Sequence, residues 1–334
     1  MDLAHGKTEM IDEQKAVAFL QRQIEVYFNK SNGDLRDCLY SRALSDAVGL
    51  GMQVYMNMLH SCNANAEKLW RELKQQKSFS ANRYCSLLGS WLASSENLQK
   101  NSHQSLPGPL SSSDLEHWQE YGYVIVKNII ARETALDIAN SLAQRKGFAL
   151  DDSESWHNLP KGPIWQRQFD LPELEIARQS KIALNAFQQV WQCQDLVITR
   201  DQYSINFPES HKHCFQGPKL HLDVDFNFPM HFKTQGIVYL NDVAADQGAF
   251  TVCPGFHLNY QNWINSLPSG TDPNEVDFYQ FPHKSIAAEA GDLIIWHHWL
   301  PHGASPNHHQ SPRVAQYLDM YSLTPRYVAP GNAF

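Results

Sequence analysis

From Phe148 onward the sequence breaks into short apolar or alternating runs separated by Pro, Gly, Asn and Asp, and this texture constrains the fold more than any other feature. Leu196 to Ile205, Gly236 to Leu240, Ala249 to Cys253 and Asp292 to Trp296 have the length and the β-branched or aromatic content of strands. Many short strands bounded by turns predict a sandwich or barrel. The expected class is mainly β with flanking helices, α+β overall.

The first hundred residues read differently. Apolar residues recur at helical spacing, at Val17, Leu20, Ile24 and Phe28 and again at Leu69, Trp70 and Leu73, from about Ile11 to Gln99. The stretch from Lys100 to Ser113, KNSHQSLPGPLSSS, is rich in Ser, Pro and Gly and reads as a connection. The chain thus divides into a helical extension over 1–100, a linker over 101–113 and a main domain over 114–334. Ser113 and Glu116 predict a capping box for a short helix, Gly122 its stop, Tyr123 to Val126 a strand, and Arg132 to Arg145 a second helix.

At 334 residues with 43% hydrophobic content the chain can bury a sizeable core. A formal charge of −8 with the signs interspersed leaves no basic footprint for nucleic acid or an anionic membrane, so neither partner is expected. Cys38, Cys62, Cys85, Cys193, Cys214 and Cys253 are scattered without a CxxC pair, which predicts free thiols and a cytoplasmic location. The N-terminus, MDLAHGKTEMIDEQK, has no apolar core of a signal peptide, and the chain has no apolar run long enough to span a membrane. The N-terminal helices are a candidate surface for a homodimer.

Lys219 to Phe226 alternates like a strand, so that His221 and Asp223 share one face and Leu220, Leu222 and Val224 the other. A third ligand at His302 would complete the two-histidine, one-carboxylate set that holds non-haem Fe(II) and leaves positions open for other molecules. His302 closes the run from His297 to His302, which also contains His298, so the choice of histidine is open at this level. Arg313, on a predicted strand from Ser311 to Leu318, shares a face with Ala315 and Tyr317. Turned inward it demands an anion, and its planar fork suits a carboxylate.

The order His221-x-Asp223, Tyr239 to Asp242, Gln247 to His257 through Pro254-Gly255, Gly291-Asp292, Trp296, His302-Gly303, Asn307 and Arg313 resembles the phytanoyl-CoA dioxygenase family of Fe(II)/2-oxoglutarate-dependent oxygenases. The resemblance covers about Ser113 to Pro325. It implies a double-stranded β-helix, the jelly-roll barrel of cupins. It also implies that His221, Asp223 and His302 are the metal ligands and share the catalysis, and that Arg313 anchors the distal carboxylate of 2-oxoglutarate. The cofactor and cosubstrates so implied are Fe(II), 2-oxoglutarate and O2, and the implied activity is hydroxylation of a small molecule with release of succinate and CO2. The carboxylate of Asp223 argues against halogenation, for which relatives carry a small residue at this position. In relatives a hydroxyl residue near the distal histidine helps hold 2-oxoglutarate, whereas here Ala304 occupies that place with Ser305 beside it. Phe256 likewise replaces the Ser of the family's PGSH turn.

Ser305 and Tyr203 are candidate cosubstrate contacts, and Asn206 lies on the same predicted strand as Tyr203. Phe226, Phe228, Trp296 and Trp299 are candidates for the wall of the mouth. Two other classes fit the ligand set: a cupin-like Zn(II) hydrolase, and a binding protein that keeps the barrel without turnover.

Overall fold

A computed structural model of the chain describes residues 13–28, 35–47, 49–63, 65–76, 79, 84, 87–89, 106–157, 159, 162–210, 214–224, 231–324 and 326. The chain divides into two compact units, Met1–Ser102 with Ser322–Pro325, and His103–Tyr321 with Arg326–Phe334.

The first unit is helical: α1 (Glu13–Phe28), α2 (Leu35–Ala47), α3 (Met52–Ser61) and α4 (Ala66–Lys74). Its core follows from helical periodicity. Ala16, Phe19, Leu20 and Ile24 form the buried stripe of α1, and Leu69, Trp70 and Leu73 that of α4. Phe28, expected on the apolar face, is 43% exposed, because the stripe runs through Phe19 instead. Asn65 caps α4 by accepting from the Lys68 amide at 2.8 Å.

The second unit opens with α5 (Ser112–Tyr121). Its capping box is Ser111 with Asp114, two residues upstream of the expected Ser113 and Glu116, because Asp114 reaches back to the Ser111 amide at 2.9 Å. Gly122 ends the helix in the left-handed region (φ 76°), and β1 (Tyr123–Val126) follows. Next come α6 (Arg132–Arg145), α7 (Ser153–His157), β2 (Trp165–Gln166), α8 (Pro172–Arg178) and α9 (Lys181–Trp191). The predicted strand from Leu196 to Ile205 is two pieces, β3 (Val197–Ile198) and β4 (Tyr203–Asn206), belonging to different sheets. The remaining elements are β5 (Thr234–Tyr239), β6 (Phe250–Val252), α10 (Phe256–Ser266), β7 (Lys284–Ile286), β8 (Leu293–His297), β9 (His302–Ala304), β10 (Arg313–Tyr317) and β11 (Met320–Tyr321). The Pro254-Gly255 turn opens α10 rather than joining two strands directly, with Gly255 as its N-cap. Among the described residues no helix is long and apolar enough to cross a membrane.

A large antiparallel sheet has the order β1-β8-β5-β10-β4-β2, and a small one β7-β6-β9. His221 extends the small sheet beside β9 through one antiparallel bridge to His302. From β4 the chain visits the large sheet, the small sheet at His221, then β5 (large), β6 and β7 (small), β8 (large), β9 (small) and β10 (large). That alternation is the path of a jelly roll, so the fold is the expected mixed α+β, cupin-like architecture.

Directly opposed residues of an antiparallel pair point to the same side, so the register defines two faces of the large sheet. Ser204, Gln235, Ile237, Tyr239, Trp296, Arg313 and Ala315 turn inward. Ile237, Tyr239, Ile294, Trp296 and Ala315 meet Phe250, Val252 and Ile286 of the small sheet in one core. The opposite face lies under helices, where Gln316 donates to the Leu174 carbonyl of α8 at 2.9 Å.

Candidate active site

His221, Asp223 and His302 come together between the sheets, each offering a donor atom within 4.8 Å of the others. The segment carrying the first two is not a regular strand. The burial alternation survives, with Leu220 and Leu222 buried and His221 and Asp223 on the open side, but only the His221–His302 bridge ties it to β9. The two backbones exchange hydrogen bonds at 2.9 Å in both directions. Gly303 permits the approach: a Cβ there would lie 2.8 Å from the Lys219 carbonyl oxygen and 3.0 Å from that of Pro218.

The imidazoles are wired alike. His221 Nδ1 lies 2.8 Å from the Lys219 carbonyl and His302 Nδ1 3.0 Å from the Leu300 carbonyl. A carbonyl only accepts, so each Nδ1 carries the proton and each Nε2 presents its lone pair inward. Those Nε2 atoms lie 3.5 and 3.6 Å from the two oxygens of Asp223. Burial alone would raise the Asp223 pKa, but hydrogen bonding and charge from His221 and His302 hold it well below the usual carboxylate range. Burial alone would lower His221, and Asp223 outweighs it and raises the imidazole. Two imidazole nitrogens and one carboxylate oxygen converge, a set that suits Fe(II), which on binding takes the place of any proton on Nε2.

Asp223 is held from behind. Gln235 Nε2 donates to Asp223 Oδ2 at 2.6 Å, and Gln235 Oε1 accepts from Trp296 Nε1 at 2.9 Å. Trp296 also packs its ring 4.2 Å from Phe250 and 5.1 Å from His302. His302 is 5% exposed, whereas the His221 and Asp223 side chains are 36% and 49% exposed, so the site opens on the His221–Asp223 side.

Arg313 is 1% exposed on the inward face. Nη1 donates to the Gly248 carbonyl at 2.7 Å and Nη2 to Ser204 Oγ at 3.2 Å, while Nε has no partner. No carboxylate pairs with it among the described residues. A buried, unpaired charge costs about several kcal/mol, so the site calls for an anion. Gly248 (φ 62°) makes room for this wall, since a Cβ there would sit 2.1 Å from Asn206 Nδ2. Asn206 in turn donates to the Ser305 carbonyl at 2.9 Å.

The other candidates separate. Tyr203 lies on the helix-covered face of the sheet, where its hydroxyl donates to Gln168 Oε1 at 3.1 Å, so the structure does not bring it to Arg313. Ser305 is near, yet its hydroxyl donates to the Ala249 carbonyl at 3.1 Å. His297 packs against Trp118, Phe232 and His257, and His298 Nδ1 contacts the Lys233 backbone, so His302 is the histidine of the run that joins the cluster. Trp299 stacks on Tyr260 at 4.9 Å. Phe226 and Phe228 lie outside the described residues. Ser204 and Gln235, which the sequence did not single out, are inward neighbours of the charged groups.

A jelly-roll path that brings two histidines and a carboxylate together between its sheets is an arrangement suited to non-haem iron. The model of the family described as "Phytanoyl-CoA dioxygenase (PhyH)" matches residues 118–315, and the chain belongs to that family. It is accordingly a 2-oxoglutarate-dependent oxygenase that uses Fe(II), 2-oxoglutarate and O2. This sets aside the hydrolase and non-catalytic readings. A Dictyostelium discoideum protein bearing the phytanoyl-CoA dioxygenase name is 22% identical over 273 residues, 62% of this chain and 74% of its own length. Among solved structures, EctD from S. alaskensis in its apoform matches with a TM-score of 0.48 at 14% identity, over 70% of this chain and 86% of that one. The epimerase SnoN, in complex with Fe3+, alpha ketoglutarate and nogalamycin RO, matches with 0.46 at 18% identity, over 66% and 87%. Likeness at that level says nothing of this chain's substrate.

Proposed function

We propose that His221, Asp223 and His302 hold the Fe(II), that Arg313 takes the distal carboxylate of 2-oxoglutarate, and that the enzyme hydroxylates a C–H bond of a small molecule. The observation that carries this reading is the convergence of two imidazole Nε2 atoms and one carboxylate, with both Nδ1 atoms facing backbone carbonyls. The buried cation supports it.

When bound, the iron supplies the oxidising chemistry: one oxygen atom of O2 enters the substrate as a hydroxyl, the other enters succinate, and 2-oxoglutarate loses CO2. The protein binds and orients. Gln235 fixes the Asp223 carboxylate, the Lys219 and Leu300 carbonyls fix the imidazole tautomers, and Arg313 fixes the cosubstrate. The aromatic packing of Trp296 and Phe250 behind His302 keeps water from the closed side, leaving the exposed side of His221 and Asp223 to receive the substrate.

Anaerobic addition of Fe(II) and 2-oxoglutarate should give a weak visible charge-transfer band in the wild type and none in His221→Ala or Asp223→Ala. Turnover with a metabolite extract should yield succinate together with a product heavier by one oxygen atom. Activity that persists without O2 or 2-oxoglutarate would contradict the reading.

A further inference from the structure

We propose that Ser204, and not Ser305, supplies the hydroxyl that works with Arg313 on the distal carboxylate of 2-oxoglutarate; this rests on the role given to Arg313 above. Ser204 is fully buried on β4, inward-facing and opposite Ala315. Its oxygen accepts from Arg313 Nη2 at 3.2 Å. A hydroxyl that accepts from one group keeps its proton for another, and among the described residues nothing accepts the proton of Ser204. Buried hydroxyl protons are ordinarily matched, so this one is aimed at an acceptor from outside the chain.

The neighbouring hydroxyls are committed. Ser305 donates its proton to the Ala249 carbonyl at 3.1 Å, and its amide donates to the same oxygen at 3.2 Å. What Ser305 has left are lone pairs, which repel a carboxylate. Tyr239 donates to the Ile286 carbonyl and accepts from the Phe250 amide, both at 2.9 Å. Ala304, two residues after His302, has no hydroxyl.

The guanidinium is also fixed in attitude. The Gly248 carbonyl holds Nη1 at 2.7 Å, leaving Nε buried without a partner on the edge it shares with Nη2, which the Ser204 hydroxyl touches. A carboxylate against that edge receives donors from both groups. A serine on the strand opposite Arg313 thus takes up the task for which β9 offers only Ala304.

The test is a pair of anaerobic titrations of the Fe(II)-loaded full chain, followed by the visible charge-transfer band. One ligand is 2-oxoglutarate; the other is 2-oxopentanoate, which has the same carbon chain without the distal carboxylate. Ser204→Ala should raise the Kd for 2-oxoglutarate about tenfold or more, as expected for losing a hydrogen bond to a charged group. Its Kd for 2-oxopentanoate should stay unchanged, which also reports an intact metal site. Ser305→Ala should match the wild type for both. The proposal is overturned if Ser204→Ala binds 2-oxoglutarate like the wild type, if it weakens both ligands equally, or if the loss appears in Ser305→Ala instead. A wild type that binds no 2-oxoglutarate would overturn the reading of the site itself, and this proposal with it.

Discussion

Gln235 donates to the carboxylate of Asp223 across 2.6 Å, and its own orientation is set by the indole N–H of Trp296 on the neighbouring strand. Because Trp296 can only donate, the Gln235 oxygen must face it and the amide nitrogen must face Asp223. The carboxylate is thereby held in one rotamer before any metal arrives. Gln235→Leu should weaken Fe(II) binding by about 10–100-fold, the usual effect of removing a group that orients a ligand. Competition titration with a metal-sensitive dye measures it, and unchanged affinity would show that Asp223 is oriented by other means.

Arg313 is the buried cation to which the proposed site assigns the distal carboxylate of the cosubstrate. Arg313→Lys keeps the charge but not the fork that reaches both Gly248 and Ser204, so 2-oxoglutarate affinity should fall by roughly tenfold or more. Ligand binding to the native state alone raises Tm by mass action, so the stabilisation that 2-oxoglutarate gives the metal-loaded wild type should shrink in the variant. An equal Tm shift in both proteins would remove Arg313 from the cosubstrate site.

Gly303→Ala should separate the two ligand-bearing segments. Its Cβ would meet two backbone oxygens, at 2.8 and 3.0 Å, neither of which can swing aside like a side chain. Overpacking of this kind costs about 1–3 kcal/mol, and here the relief is movement of the Lys219 region away from β9. Thermal unfolding should show the loss of stability, and metal titration a loss of affinity. A drop in stability with full metal affinity would mean that the strain relaxes elsewhere.

Acid should destabilise the fold through buried neutral histidines. Burial lowers His257 to about 4, with the Gln119 carbonyl opposing, and lowers His297 and His298 in the same direction. An unfolded histidine titrates near about 6.5, so between these pH values the unfolded chain binds a proton that the folded chain refuses. The resulting stability is fully present above about pH 6.5 and is lost as pH falls towards 4, by up to about 1.4 kcal/mol per pH unit for His257 alone. Urea unfolding at a series of pH values measures the slope. His257→Leu should flatten it, and an unchanged slope would place the proton uptake elsewhere.

The convergence of His221, Asp223 and His302 was legible because residue type and spacing single them out, and the strands because short apolar or alternating runs bounded by turn residues survive in the one-dimensional string. The helix Arg132–Arg145 and the strand Tyr123–Val126 occur as read. What surrounds the triad was not legible, since it depends on register. In Tyr203-Ser204-Ile205-Asn206 every residue is buried, so no burial contrast tells which parity faces the site. The phenol of Tyr203 is the more conspicuous group, but pairing with β10 turns Ser204 inward and Tyr203 under the helices. Gln235 looks like an ordinary polar residue at a strand start until the pairing Gln235↔Trp296 sets it behind Asp223. The capping motif moved by two positions because Ser111, Ser113, Asp114 and Glu116 offer competing pairs, and the sequence does not rank them.

The single bridge between His221 and His302 would give a metal held at the proposed site a mechanical role as well as a chemical one. The two backbone hydrogen bonds of that bridge contribute only about 1–3 kcal/mol, a small closing energy for the joint. An ion ligated on both sides of that joint cross-links it. In the proposed site, loading with iron and closing the edge of the small sheet would be a single event, which the amides of His221 and His302 should report by slower hydrogen exchange.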